Sequence, residues 1–121
     1  MTRREILAAL VAALVAGRSH AAVSAIEAAR IERLIQYIDE QRHLKFVRNG
    51  TDYSCTEAAR FLRGKFDKMG EHVSTAAQFI DQIASRSSTT GQAYLIRFAD
   101  GRTVKAAQFL GEELRRMDRQ S

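Results

Sequence analysis

The amino-acid sequence predicts an α+β fold. In this fold a small antiparallel sheet, a hairpin plus one or two further strands, is packed by about four helices. Three observations predict it: four segments have apolar residues at helical spacing, Asn49-Gly50 lies between β-favouring residues, and residues 93–98 are rich in β-favouring side chains. The predicted order is α-β-β-α-α-β-α, in one domain over residues 22–121. A sheet with helices packed on it is the simplest way to bury these stripes.

Residues 1–21 are expected to be a cleavable signal peptide. Arg3 and Arg4 supply a positive start, residues 6–16 form an unbroken apolar run, and Ser19 and Ala21 fit the small-x-small cleavage pattern. The run is too short to cross a bilayer, which needs about 20 apolar residues. The sequence therefore predicts a periplasmic or secreted protein with no membrane anchor after cleavage. The general secretory route is favoured, and the adjacent arginines leave the twin-arginine route open.

Removal of this segment changes the net charge of the chain, and export places its only cysteine in an oxidising compartment. Three arginines and one glutamate leave with it, so the net charge falls from +5 to +3. Such a modest excess does not indicate a nucleic-acid partner. In an oxidising compartment, Cys55 is either buried and inert or paired with another chain. Burial is favoured, because free cysteine is among the most buried residue types.

The first two helices are expected to begin at capping boxes, in which a serine is followed three residues later by a glutamate. Ser24 with Glu27 opens the first helix, and Ser54 with Glu57 opens the second. The second is expected to stop at Gly70. Their apolar stripes comprise Ile31, Leu34, Ile35 and Ile38 in the first helix, and Ala58, Leu62, Phe66 and Met69 in the second.

A hairpin is predicted between these two helices. Asn49-Gly50 favours a tight turn because both central residues must take positive φ. The flanking strands are expected over residues 44–48 and 51–53. The turn chemistry alone explains both turn residues.

The second half of the domain begins with a short helix capped by Thr75 and ending near Ala84. A hydroxyl-rich loop over residues 85–92 connects it to the strand over residues 93–98. Asp100-Gly101 is expected to close that strand with a tight turn.

The last helix is expected to begin near Thr103 or Val104 and to end at Met117. Its apolar residues recur at helical spacing, as in the other three helices. Glu112 and Arg116 are expected to pair on its outer side, since residues four apart are neighbours on a helix surface.

Five motifs, in this order along the mature chain, resemble those of a known family: Phe46-Val47-Arg48-Asn49-Gly50, Glu57-Ala58-Ala59, Leu62-Arg63-x-Lys65, Thr75-Ala76-x-x-Phe79-Ile80, and Ala84-Ser85-x-Ser87-Ser88-x-Thr90-Gly91-x-x-Tyr94. Over residues 31–114 the chain resembles the YfeK-like family of small exported bacterial proteins, a domain of unknown function. The resemblance implies export and one domain. It implies no activity, because none is established for the family.

Candidate binding residues fall in the hydroxyl-rich loop, the hairpin and the charged part of the second helix. Loop N–H groups and hydroxyls can cradle an anion, and neighbouring cations would strengthen binding. The simpler interpretations are a polar connector, a turn and a solvated helix face. The candidates for ligand or partner binding are Arg48, Asn49, Arg63, Lys65, Ser87, Ser88, Thr90, Gly91 and Tyr94.

No catalytic residue, metal site or cofactor is predicted. His43 and His72 have no partners at ligand spacing, and a zinc site needs three or four ligands. Cys55 and Ser88 lie in no recognisable nucleophile motif. An enzymatic role is therefore disfavoured.

Three functions are consistent with these patterns. The first is a non-enzymatic periplasmic binding or interaction module with an envelope protein as partner. The second is a binder of small anions or glycan fragments that uses the loop over residues 85–91. The third is a cell-envelope hydrolase. The first two differ in whether the partner is a protein or a small anionic molecule.

Overall fold

The computed structural model describes residues 23–120, so the expected signal peptide lies outside the described residues. The helices are α1 (Ala25–Asp39), α2 (Cys55–Met69), α3 (Ala76–Gln82) and α4 (Ala106–Arg119). The strands are β1 (Lys45–Arg48), β2 (Thr51–Ser54), β3 (Leu95–Arg97) and β4 (Thr103–Lys105). The predicted α+β class and element order are confirmed, with β4 as the second of the further strands. Over this part of the chain no helix has the length and apolar character needed to cross a membrane.

The sheet is antiparallel throughout, with strand order β2-β1-β3-β4. Phe46 pairs with Tyr53 on one side and with Ile96 on the other. Phe46 and Ile96 belong to the main core, so this face of the sheet carries the helices. Side chains alternate along a strand, which places Val47 and Leu95 on the opposite face. The helix-bearing face is therefore the one that can build a site with α2.

The core forms where the helix stripes meet this face of the sheet, and its largest buried side chains include Tyr94, Phe46, Phe79, Leu34, Leu62 and Leu110. The predicted stripe of α1 is confirmed, since all four of its residues are buried. The prediction for Met69 is wrong, because 51% of this side chain is exposed. Met69 lies at the last turn of α2 beside the hydroxyl-rich loop, where Ser88 Oγ is 3.6 Å from its sulfur.

The capping box is complete at α2 but not at α1. Ser54 Oγ accepts from the Glu57 amide at 3.0 Å, and the Glu57 carboxylate accepts from the Ser54 amide at 3.0 Å. Ser24 likewise caps α1, but the Glu27 carboxylate accepts from the amide of Ala76 at 2.8 Å. That N–H lies in the first turn of α3 and has no acceptor within its own helix, so a carboxylate is stabilised there. Tertiary packing has redirected Glu27 from its own helix to the next one.

The last helix begins later than predicted. Residues 103–105 pair with β3 as β4, and α4 starts at Ala106. The predicted pair between Glu112 and Arg116 is also wrong, because Arg116 pairs with Glu113. Glu113 is buried, and a buried carboxylate is destabilising without a charged, hydrogen-bonded partner.

Cys55 is buried at the first turn of α2, where its thiol lies 3.6 Å from the Leu44 carbonyl oxygen. Burial raises the pKa of the thiol to about 11, although Lys45 acts in the opposite direction. The structure therefore shows a buried thiol, not one presented to another chain. A protonated, inaccessible thiol is a poor nucleophile.

Replacing Cys55 by alanine is expected to reduce the alkaline sensitivity of the fold. The thiol pKa is raised on folding, so its stabilising contribution is complete below pH 9 and is lost as the pH rises towards 11. By pH 10 the loss amounts to about 1 kcal/mol. Urea unfolding of the unaltered protein and of the Cys55→Ala variant at pH 8 and pH 10 measures this loss. Effects of pH that the two proteins share cancel in the difference between them. Equal losses in the two proteins would contradict the prediction.

Candidate functional site

A cleft of about 340 Å³ lies between α2, the end of β1 and the loop that precedes β3. On α2 its residues recur every three or four positions, so they lie on one side of the helix. We call it the cationic cleft, and it is lined by Arg48, Phe61, Gly64, Lys65, Lys68, Met69, Ser87, Ser88, Thr89 and Tyr94. Three of these side chains are basic and none is acidic, which makes the cleft electropositive.

Lys65 is the most deeply placed cation of the cleft, with only 7% of the residue exposed. Its Nζ donates to the Arg86 carbonyl oxygen at 2.8 Å and to the Tyr94 hydroxyl at 2.9 Å. Burial, and then the guanidinium groups of Arg48 and Arg86, lower the pKa of this ammonium. The expectation that Lys65 belongs to a solvated helix face is therefore wrong. The sequence pattern did not reveal the neutral oxygens that allow it to be buried.

Arg48 ends β1 and projects over the ring of Phe61, with its guanidinium carbon 4.4 Å from the ring centre. Its Nε is buried and has no hydrogen-bond partner within residues 23–120. Tyr94 also lies beside it: burial raises the pKa of this phenol, and the charge of Arg48 opposes that rise. Arg48 therefore brings a positive charge to the cleft wall, and one of its donors is unpaired within the described residues.

The hydroxyl-rich loop is held against the hairpin turn. Asn49 sits at φ 51°, as the predicted turn requires. Its carboxamide oxygen accepts from Thr90 Oγ1 at 2.6 Å, and its nitrogen donates to Ser87 Oγ at 3.4 Å. These contacts join two segments that are about 40 residues apart and fix the loop beside Arg48.

Within the loop, the candidate residues have different environments. Ser87 is buried, and its hydroxyl accepts from the amides of Thr89 and Thr90, both at 3.3 Å. Gly91 has φ 76° and donates its N–H to the Ser87 carbonyl at 3.0 Å. The polar groups of Ser87, Thr90 and Gly91 thus hold the loop together. Ser88 and Thr89 are exposed and line the cleft.

Gly64 forms part of the cleft floor in the middle of α2. A Cβ built at this position would meet no atom within 4 Å, and the glycine does not have positive φ. Glycine in a helix interior costs about 1 kcal/mol relative to alanine. Neither the backbone conformation nor close packing requires a glycine here.

A second cleft of about 340 Å³ adjoins the first, between β1, β2 and the first half of α2. We call it the aromatic cleft, and it is lined by Phe46, Arg48, Tyr53, Glu57, Ala58, Arg60 and Phe61. Arg48 and Phe61 line both clefts, so their stacked side chains form the wall between them. Glu57 is held in place by its capping contacts with Ser54.

Five of the nine candidates line the cationic cleft, namely Arg48, Lys65, Ser87, Ser88 and Tyr94. Asn49, Thr90 and Gly91 make the contacts that hold its loop, and Arg63 lies apart from it. Arg63 pairs instead with Glu32 on α1, so its charge is directed to a neighbouring helix and not to the cleft. Of the residues that line the cleft, sequence reasoning missed Phe61, Gly64, Lys68, Met69 and Thr89. The helical period offered one usable signal, because Phe61 and Lys68 lie four residues before and three residues after Lys65.

The described residues contain no group of three or more His, Cys, Asp or Glu side chains able to hold a metal ion. Cys55 and Ser88, which lie in no nucleophile motif, occupy different settings: Cys55 is buried with a raised pKa, whereas Ser88 is exposed beside Met69. No general base lies within hydrogen-bonding distance of Ser88 Oγ among the residues described. The arrangement is suited to binding an anion through cations and hydroxyls.

Comparisons with known proteins agree with the motifs quoted above. A protein-family model described as a family of unknown function, DUF5329, matches residues 25–118. An uncharacterized protein, YfeK of Salmonella typhimurium strain LT2, is 41% identical over 91 residues, which cover 75% of this chain and 76% of the relative. No solved structure shows a significant match. Because the family model spans most of the chain, this protein belongs to the DUF5329 family of unknown function.

Proposed function

We propose that this protein is an exported, non-enzymatic binding protein that takes a small anionic ligand into the cationic cleft. The observation that carries the proposal is the convergence of Arg48, Lys65 and Lys68 on one cleft without an acidic residue in its lining. Export is part of the proposal and rests on the pattern of residues 1–21. A phosphate or carboxylate group is the ligand chemistry that fits these donors.

Lys65 supports an anionic ligand most directly. An ammonium group has three donors, and two are used on the Arg86 carbonyl and the Tyr94 hydroxyl. Both partners are neutral, and no carboxylate lies within 4 Å of Nζ in the described part of the chain. A buried charge without a counter-ion is destabilising. A bound anion would supply the missing charge and accept from the third donor.

Arg48 and the loop hydroxyls complete the donor set. A guanidinium group presents a planar fork that matches phosphate and carboxylate oxygens, and stacking on Phe61 orients it. Ser88 and Thr89 add hydroxyl donors from the opposite wall, and Lys68 adds an exposed cation at the rim. The ligand would thus contact donors from a strand, a helix and a loop.

Replacing Lys65 by methionine is expected to abolish most anion binding. The change removes the buried ammonium and keeps a long side chain of similar shape. A hydrogen bond to a charged group contributes about 1.5–3 kcal/mol, which corresponds to a loss of roughly 10- to 100-fold in affinity. Isothermal titration of the purified protein with inorganic phosphate and with sulfate measures the loss.

Two further variants make this experiment decisive. Lys68→Gln removes an exposed cation of the cleft and is expected to weaken binding without affecting folding. Lys105→Gln removes the same charge from an exposed position on β4 and should leave the affinity within about twofold. Binding that is absent in the unaltered protein, or equal in all four proteins, would refute the proposed function.

Substitutions at Gly64 are expected to separate stability from binding. Gly64→Ala should raise the free energy of unfolding by about 0.5–1 kcal/mol, because it removes a helix-interior glycine and meets no neighbour. Gly64→Leu should fold equally well but fill the cleft and prevent phosphate binding. Urea unfolding and calorimetric titration measure the two effects.

Gly111 in α4 provides the matched control, because a Cβ there would meet only the Arg115 side chain at 3.6 Å. Gly111→Ala should stabilise the protein by a similar amount and leave anion binding unchanged. If Gly64→Leu bound phosphate as well as the unaltered protein does, the cationic cleft would not be the binding site.

A further inference from the structure

The structure assigns a substrate class to this site: we propose that the ligand is a sugar bearing one phosphate or carboxylate group. Its anionic group would occupy the cationic cleft and its uncharged ring the aromatic cleft. This inference rests on the proposed function, since it extends the same site across the wall formed by Arg48 and Phe61.

The two clefts are placed to hold two parts of one molecule. They have equal volumes of about 340 Å³, and Arg48 and Phe61, which stack on each other, line both of them. The Arg48 side chain is therefore shared by the two spaces. One ligand could bind Arg48 through its acidic group and extend past Phe61 into the neighbouring cleft.

The charges of the two clefts decide which part of the ligand occupies which cleft. Within the aromatic cleft the Glu57 carboxylate lies among the lining residues, and its contacts with Ser54 fix its position. A second anion beside that carboxylate would be repelled. In the cationic cleft no lining residue is acidic. The anionic group is therefore favoured in the cationic cleft, and an uncharged group in the aromatic one.

The lining of the aromatic cleft favours a sugar ring over a purely apolar group. Phe46, Tyr53 and Phe61 offer aromatic surface against which the C–H face of a pyranose can pack. The Tyr53 hydroxyl and the Arg60 guanidinium line the same space, and neither makes a hydrogen bond or ion pair within residues 23–120. These unused polar groups can donate hydrogen bonds to the hydroxyls of a sugar, which an apolar ring cannot accept.

The test compares four probes by isothermal titration: inorganic phosphate, N-acetylglucosamine, N-acetylglucosamine 1-phosphate and phenyl phosphate. We expect the sugar phosphate to bind at least tenfold more tightly than inorganic phosphate and more tightly than phenyl phosphate. We expect N-acetylglucosamine alone to bind more weakly than the sugar phosphate. Tyr53→Ala and Arg60→Gln should lower the affinity for the sugar phosphate about tenfold and leave that for inorganic phosphate unchanged.

Arg33→Gln is the matched control for Arg60→Gln, because Arg33 is also exposed and helical but lies on α1. It should change neither affinity. Equal binding of sugar phosphate and inorganic phosphate, or no selective effect of Tyr53→Ala and Arg60→Gln, would overturn the sugar assignment and leave anion binding intact. If phenyl phosphate bound more tightly than the sugar phosphate, the sugar assignment would be wrong and the aromatic cleft would favour an aromatic ring. Failure of all phosphorylated probes to bind would refute both proposals.

Discussion

The buried ammonium of Lys65 is the interaction on which the candidate site depends. It joins α2 to the start of the hydroxyl-rich loop through the Arg86 carbonyl and to the approach to β3 through Tyr94. Both acceptors are neutral, so the group is held in place without being neutralised. The surrounding protein thereby keeps a positive charge close to its surface, at a position where the charge is poorly solvated. Such a charge attracts an anion more strongly than a fully hydrated surface lysine does.

The alternation of side chains along β1 determines where Arg48, another cation of the cleft, lies. Phe46 and Arg48 are two residues apart on β1, so both point towards the helices. Phe46 enters the core, whereas Arg48 falls just beyond it and packs over Phe61. The hairpin turn that follows immediately carries Asn49, which holds the loop. A single strand end therefore supplies both the cation and the residue that positions the opposite wall of the cleft.

Three features that folding alone would not favour occur in the same cleft. Gly64 lowers helix stability without relieving any close contact, Lys65 is buried with its pKa lowered, and Arg48 has a buried Nε without a partner among residues 23–120. Proteins commonly sacrifice stability at sites where function requires it. The coincidence of these features, more than any one of them, distinguishes this cleft from an ordinary surface depression.

Local chemistry made much of this fold predictable. Ser24, Ser54 and Thr75 cap their helices as expected, because a capping hydroxyl needs only the amides of its own first turn. Asn49 and Gly50 form the predicted turn, because the turn needs positive φ at both positions and these two residue types adopt positive φ readily. Five of the nine candidate residues, Arg48, Lys65, Ser87, Ser88 and Tyr94, line one cleft.

The roles of particular side chains depended on distances between elements that are remote in the sequence. By itself the sequence determined the α+β class, the caps, the hairpin and a concentration of polar candidates. Only the tertiary structure decided that Lys65 is buried, that Arg63 pairs with Glu32, that Glu27 caps α3, and that residues 103–105 join the sheet. The physical reason is that caps and turns are satisfied within a few residues, whereas a buried cation, an ion pair between helices and an added strand each need a partner delivered by the fold.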